Sequence, residues 1–394
     1  MLCLCFLILQ STDNFTGGIF MVLKNIDIVL EDEIIKSDVQ IKNGKIFKIS
    51  AEIESDESVD CSGKYLIPGF IDMHIHGIGG HDAMDGTVEA VTSMSKEVLK
   101  RGVTSYLPTL LTESVERIHS GFEAVKKVMG MNIENTADII GVHMEGPFFC
   151  DEFKGAQNPK FLQYGTLDTL EALVGNYWDI LKILSAAPER IEFSVIQKLK
   201  EKGVIASIGH TSADSELVEE ASLFGMTHCV HLYNGMKGLH HREPGTAGAI
   251  LNNDRIHAEL ILDGIHVHPK MAKLAYKCKG DKLALITDAM RATGLQDGKY
   301  DLGGQDVFVK GYEARLANGS LAGSTLTMDR AFKNALRFLD SGIIGAVKLT
   351  STNAADELGL TSKGRIEVGR DADLLVVDRE YNIEKIIKAG KIIS

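Results

Sequence analysis

The chain has 394 residues, 44% of them hydrophobic and 24% charged, which is enough apolar material for a large buried core. Its 42 Lys and Arg against 54 Asp and Glu leave a formal net charge of −12, so composition gives no electrostatic reason to expect nucleic acid or an anionic membrane as partner. The six cysteines (Cys3, Cys5, Cys61, Cys150, Cys229 and Cys278) form no CxxC pair, which argues against a thiolate zinc site or a disulfide scaffold and suits a reducing, cytoplasmic setting.

Met1 to Leu9 are apolar, but the run lacks the basic leader and small-residue cleavage site of a secretory signal. It is also far shorter than the roughly 20 residues of a membrane span. Met21 opens the first patterned strand, so residues 1–20 read as an N-terminal extension. Val22 to Leu30, Val39 to Ile41 and Lys45 to Ile49 follow as strands, with Asn43-Gly44 as a hairpin turn. The other end of the chain repeats this pattern in Asp373 to Asp378 and in Ile386 to Ile393, with a turn at Ala389-Gly390. Neither end can bury a core alone. Residues 21–67 and 360–394 are therefore expected to pair as one small β-sandwich domain.

Between them, over residues 68–359, short apolar runs alternate with stretches at helical spacing. The runs are Phe70–His74, Val103–Pro108, Ile139–Met144, Leu181–Ala186, Val204–Gly209, His228–Leu232, Glu259–Asp263 and Leu283–Asp288. A helix after the first carries Val88, Val91, Met94 and Val98 on one face and stops at Gly102. The next begins near Thr112 and carries Val115, Ile118, Phe122 and Val125. Eight strands with crossovers predict an α/β fold, a (β/α)8 TIM-type barrel, although the interval between the sixth and seventh runs holds little clear helix.

Catalytic groups in such a barrel sit at the C-terminal ends of its strands. His74 and His76 follow the first run, Glu145 the third, His210 the fifth and His231 the sixth, and Asp288 ends the eighth. A lone histidine at a strand end is more often an ordinary polar residue, and a lone aspartate there more often caps a turn. In His74-Ile75-His76, however, both imidazoles project to the same side of an extended strand. Recurrence at five strand ends favours a divalent metal, either one with a separate base or two, with zinc first and iron or manganese as alternatives.

Pro68-Gly69-Phe70-Ile71-Asp72-Met73-His74-Ile75-His76-Gly77 resembles the opening signature of the amidohydrolase superfamily, and Gly364 to Leu374 resembles its return to the β domain. Within that superfamily the chain resembles the N-acetylglucosamine-6-phosphate deacetylases. The shared motifs are His143 to Phe148, Gly209-His210-Thr211, His231 to Met236, Arg242 to Gly245, Asp263 to His266 and Thr287-Asp288-Ala289, in family order. The resemblance implies that Glu145, His210 and His231 hold a metal. It implies that His74 and His76 serve a second one with Glu145 shared, that Asp288 is the catalytic acid/base, and that Asn234, Gly235, Arg242 and His266 grip the sugar phosphate. Parts of that grip come from a neighbouring subunit in the family, which implies a homodimer. Gln157 stands where some members have a histidine that contacts substrate, and Gly235 replaces an alanine, a swap expected to be mild. The rival readings are a deacetylase of the galactosamine epimer, another amidohydrolase, and a barrel without catalysis.

Overall fold

A computed structural model describes residues 20–394, so the reading of residues 1–20 as an extension lies outside it apart from Phe20, which starts the first strand. Eight parallel strands form the barrel: Phe70–Ile75, Val103–Leu110, Val142–Glu145, Leu181–Ala186, Ile205–Ile208, Met226–Cys229, His257–Ile261 and Leu283–Ile286. Each pairs parallel with the next. The seam between the last and the first is closed by Asp288 N–H donating to the His74 carbonyl at 2.9 Å and His76 N–H donating to the Ala289 carbonyl at 2.9 Å. Buried Asp72 stitches the same seam, accepting from the Thr287 hydroxyl at 2.6 Å and its N–H at 3.2 Å. Thus the bonds that close the barrel also fix the backbone of three predicted site residues.

Helices cover the outside because their apolar stripes have nowhere else to go. Val88–Leu99 starts where the Thr87 hydroxyl accepts from Ala90 N–H, and it buries Val91, Met94 and Val98 as its spacing predicts. Val115–Met129 begins later than expected. Ser114 caps it, whereas Thr112 is occupied elsewhere, its N–H donating to Gln157 Oε1 and its hydroxyl to the Glu145 carbonyl. Between the sixth and seventh strands one helix forms, Gly245–Asn252. At the opposite end of the barrel, residues 348–357 act as a plug. The Ser351 hydroxyl donates to the Gly69 carbonyl at 3.1 Å and Asn353 Nδ2 donates to the Leu283 carbonyl at 2.7 Å, binding the starts of the first and last strands.

Both chain ends join a single eight-stranded sheet, in which Leu374–Val377 lies antiparallel to Tyr65–Pro68 and Phe20–Val29 lies on the far side of that strand. Bonds from Ile46 N–H to the Arg370 carbonyl and from Ala372 N–H to the Gly44 carbonyl curl the sheet over a core of its own, with Leu23, Ile28, Ile41, Leu66 and Val376 inside. A further three-stranded antiparallel sheet, Gly298–Leu302, Gln305–Lys310 and Glu313–Leu316, follows the eighth barrel strand and was not anticipated from sequence. No helix among the described residues is long and apolar enough to cross a membrane.

A buried ionic cluster ties the sheet to the barrel. Asp373 Oδ2 accepts from Lys363 Nζ at 2.6 Å and Lys388 Nζ at 2.9 Å, and both lysines also reach Asp138 Oδ2. Asp373 and Lys388 are both buried. Removing Asp373 leaves two ammonium groups sharing Asp138, with surplus charge in a medium that solvates it poorly. Asp373→Ala is therefore expected to destabilise the protein by about 3 kcal/mol, read as a lowered midpoint in urea; a midpoint equal to wild type would show that the cluster contributes nothing.

Candidate active site

At the C-terminal mouth of the barrel lies a cavity of about 320 Å³ lined by His76, Glu145, His210, His231, Asn234, Gly235, His266 and Asp288, among others. His74, fully buried, lies just beneath. The strands deliver these side chains, but their last residues bend to aim them. His210, His231 and Asp288 have φ of 47°, 31° and 49°, the left-handed region that L-residues enter only under constraint. Three of the six residues predicted from strand ends thus share one form of backbone strain, and all three sit where a chain leaves its strand.

Two groups of donor atoms face each other across Glu145. On one side, His210 Nε2 and His231 Nε2 each lie 3.1 Å from Glu145 Oε1 and 3.2 Å from one another. On the other, His74 Nε2 is 3.3 Å from His76 Nε2, His76 Nε2 is 3.1 Å from Asp288 Oδ1, and both imidazoles stand 3.5 Å from a Glu145 oxygen. Ligand atoms at about 2.0–2.2 Å from a tetrahedral ion stand roughly 3.3–3.5 Å apart, so both groups have the spacing of a coordination shell. Their tautomers agree with this. His76 Nδ1 faces the Thr109 carbonyl, His210 Nδ1 the Phe153 carbonyl and His231 Nδ1 the Asn234 carbonyl. A carbonyl only accepts, so each Nδ1 carries a proton, and a ring that gives up its second proton presents its Nε2 lone pair inward. The donor set fits one or two divalent metal ions.

Burial and charge work against each other here. Burial would raise Glu145, yet bonds to His210 and His231 hold it well below the usual carboxylate range. Burial would likewise raise Asp288, but His74 and His76 hold it down. In return, and against the effect of their own burial, His76 is pushed up to about 9 by Asp288 and Glu145, and His231 to about 9 by Glu145.

The residues expected to grip substrate divide. Asn234, Gly235 and His266 line the cavity, with His266 Nδ1 held by Asp263 Oδ2 at 2.7 Å. Arg242 does not; it is exposed on the loop before Gly245 and its guanidinium meets His241 Nε2 at 2.8 Å. Gly235 is less replaceable than expected. Its φ is 61°, and a Cβ there would stand 3.0 Å from His210 Nδ1, so alanine would press on that imidazole. Gln157 is tied directly to the ionisable cluster. Its Nε2 donates to Glu145 Oε2 at 2.5 Å while its Oε1 accepts from Thr112 N–H, so it clamps the shared carboxylate. Sequence reasoning also missed Leu302, Leu321 and Gly323 in the cavity wall. The Gly303-Gly304 turn was the available signal. A groove of about 390 Å³ between sheet and barrel, by contrast, is lined by Glu31, Asp32, Lys348 and Arg365 and holds no cluster of metal-ligand type among the described residues.

Residues 65–393 match the amidohydrolase family model. The chain is 40% identical to the N-acetylglucosamine-6-phosphate deacetylase of Lysinibacillus sphaericus, over 94% of this chain and 97% of that one. Among solved structures it is similar to the N-acetylglucosamine-6-phosphate deacetylase of Pasteurella multocida, with a TM-score of 0.90, 27% identity, and 95% and 100% of the two chains covered. It is also similar to a variant of the Mycobacterium smegmatis enzyme in complex with N-acetyl-D-glucosamine-6-phosphate, with a TM-score of 0.87, 28% identity, and 96% and 99% covered.

A cation held by these Nε2 atoms would compete with protons for them. With His76 and His231 raised to about 9, metal affinity should climb as pH rises from 6.5 toward 9 and fall as the imidazoles protonate below it. Zinc or cobalt titration by calorimetry in buffers of differing ionisation enthalpy should show proton release below pH 9. An affinity flat over that window would contradict the assignment.

Proposed function

We propose that this chain, which belongs to the amidohydrolase family, removes the acetyl group from N-acetylglucosamine 6-phosphate to give glucosamine 6-phosphate and acetate. The observation that carries this reading is the convergence of four imidazoles and two carboxylates at the end of one cavity. Glu145, His210 and His231 would hold one divalent cation, and His74 and His76 a second that shares Glu145. Zinc is the first choice, and iron or manganese would suit the same nitrogen and oxygen donors. A divalent cation in such a site lowers the pKa of water to about 7 and polarises an amide carbonyl.

The protein's own residues must move one proton and place the sugar. Asp288, ionised and at the cavity floor, takes the proton from the attacking water and later gives it to the departing amine, turning a poor leaving group into a neutral one. Asp288 Oδ1 lies 3.1 Å from His76 Nε2, which places the carboxylate beside the proposed cation site. Asn234 and the backbone at Gly235 grip the sugar, and Asp263 anchors the His266 ring so that its other nitrogen is left for the phosphate. Arg242, exposed and outside its own chain's cavity, supports a homodimer in which it reaches the phosphate bound by a second copy. Free Cys61, Cys150, Cys229 and Cys278 support a reducing, cytoplasmic setting.

Acetate release from N-acetylglucosamine 6-phosphate should vanish on chelation and return on metal add-back, with the galactosamine epimer assayed beside it; release indifferent to chelation would refute the reading. Asp288→Asn should retain most bound metal and lose at least about 100-fold in kcat, and near wild-type turnover would remove Asp288 from its role. Arg242→Ala should raise KM for the phosphorylated sugar several-fold while leaving an unphosphorylated analogue unchanged. Equal effects on both would show that Arg242 does not touch phosphate.

A further inference from the structure

Behind the cavity, a line of ionisable side chains runs through the barrel interior, where such folds ordinarily pack apolar layers. Glu259, in the middle of the seventh strand and wholly buried, places Oε2 2.8 Å from His74 Nδ1 and Oε1 3.1 Å from His228 Nε2. His228, equally buried on the sixth strand, meets Glu357 Oε1 through Nδ1 at 2.6 Å. Glu357 ends the plug that closes the opposite end of the barrel. The proposed metal-facing mouth and the bottom plug are therefore joined by an unbroken chain of hydrogen bonds.

We propose that Glu259 is the positioning residue that makes His74 a cation ligand, and that His228 and Glu357 hold Glu259 in that role. The inference rests on the reading that His74 and His76 hold a divalent cation. His76, His210 and His231 have their tautomers set by backbone carbonyls, which any sequence would supply. His74 alone depends on a side chain. Because Glu259 Oε2 accepts from Nδ1–H, the His74 Nε2 lone pair is turned toward His76, Glu145 and Asp288. A carboxylate also makes the imidazole a stronger donor than a carbonyl does.

A carboxylate meets both demands at once. His228 lies between two carboxylates, donates from both ring nitrogens and is therefore an imidazolium. Glu259 must then accept on both oxygens, from His74 and from His228. A glutamine of the same size accepts on one side and donates on the other, so it could serve His74 only if His228 gave up its Nε2 proton, and it would lack the charge that makes His74 the stronger donor. Glu357 in turn compensates the charge of His228, without which Glu259 would be drawn away from His74.

The test is site-resolved metal binding by the full-length protein. Apo-protein is dialysed against graded Zn²⁺ or Co²⁺ and its bound metal measured, for wild type, Glu259→Gln, Glu357→Gln, and a His74→Ala/His76→Ala reference. Wild type should bind two equivalents and the double reference should lose one. Glu259→Gln should weaken that same equivalent by roughly 10–100-fold while the equivalent at Glu145, His210 and His231 keeps its affinity, which also reports an intact fold. Glu357→Gln should weaken the same equivalent by a smaller factor, and it carries the test alone if Glu259→Gln does not fold. Two equivalents bound by Glu259→Gln with wild-type affinity would overturn the role of Glu259 and leave the two-cation reading standing. A wild type that binds one equivalent, unchanged in the His74→Ala/His76→Ala protein, would overturn both.

Discussion

Glu145 is buried, negatively charged and within 3.5 Å of four imidazoles, and that crowding governs the rest of the molecule. Charge cannot be withdrawn from water on this scale unless every donor and acceptor finds a partner. Gln157 and the carbonyls behind the histidines exist in the structure as those partners. So does the seam of the barrel, whose closing bonds run through His74, His76 and Asp288 themselves. A cation would complete the arrangement because it accepts lone pairs that protons otherwise occupy. Chemistry and folding are thus two aspects of one electrostatic problem.

The same constraint explains where strain is kept. His210, His231 and Asp288 hold left-handed backbone at the points where strands end. Histidine and aspartate tolerate that region better than β-branched residues do, and the surrounding layers of buried Ile, Leu and Val give the barrel rigidity to enforce it. At these three turns the cost falls where side-chain direction matters.

Much of this was legible in the amino-acid order. His74, His76, Glu145, His210, His231 and Asp288 stood out because ionisable residues at the ends of apolar runs interrupt an otherwise plain pattern. The strand ends were less legible. The run His228–Leu232 suggested a strand two residues later than Met226–Cys229, because Val230 and Leu232 are buried although the chain has already turned to aim His231. The placement of Arg242 could not be read from one chain, since a loop's position depends on what it packs against. The three-stranded sheet at 298–316 was missed although Val307 and Val309 face inward and Asp306, Phe308 and Lys310 outward. Its alternation is short, and the barrel pattern before it draws attention to helices. Glu259 and His228 were visible as charged letters inside buried runs, but their meaning needed the distance across two strands.

That small sheet has its own significance. Gln305 Nε2 donates to the Ala156 carbonyl at 2.5 Å, beside the residue that clamps Glu145, and Leu302 forms part of the cavity wall. It follows the eighth strand as an appendage, and none of the barrel's ladder bonds runs through it. Part of the cavity wall is therefore carried on a piece of chain apart from the barrel, so the shape of guest admitted can be altered at this appendage while the ionisable groups beneath keep their places.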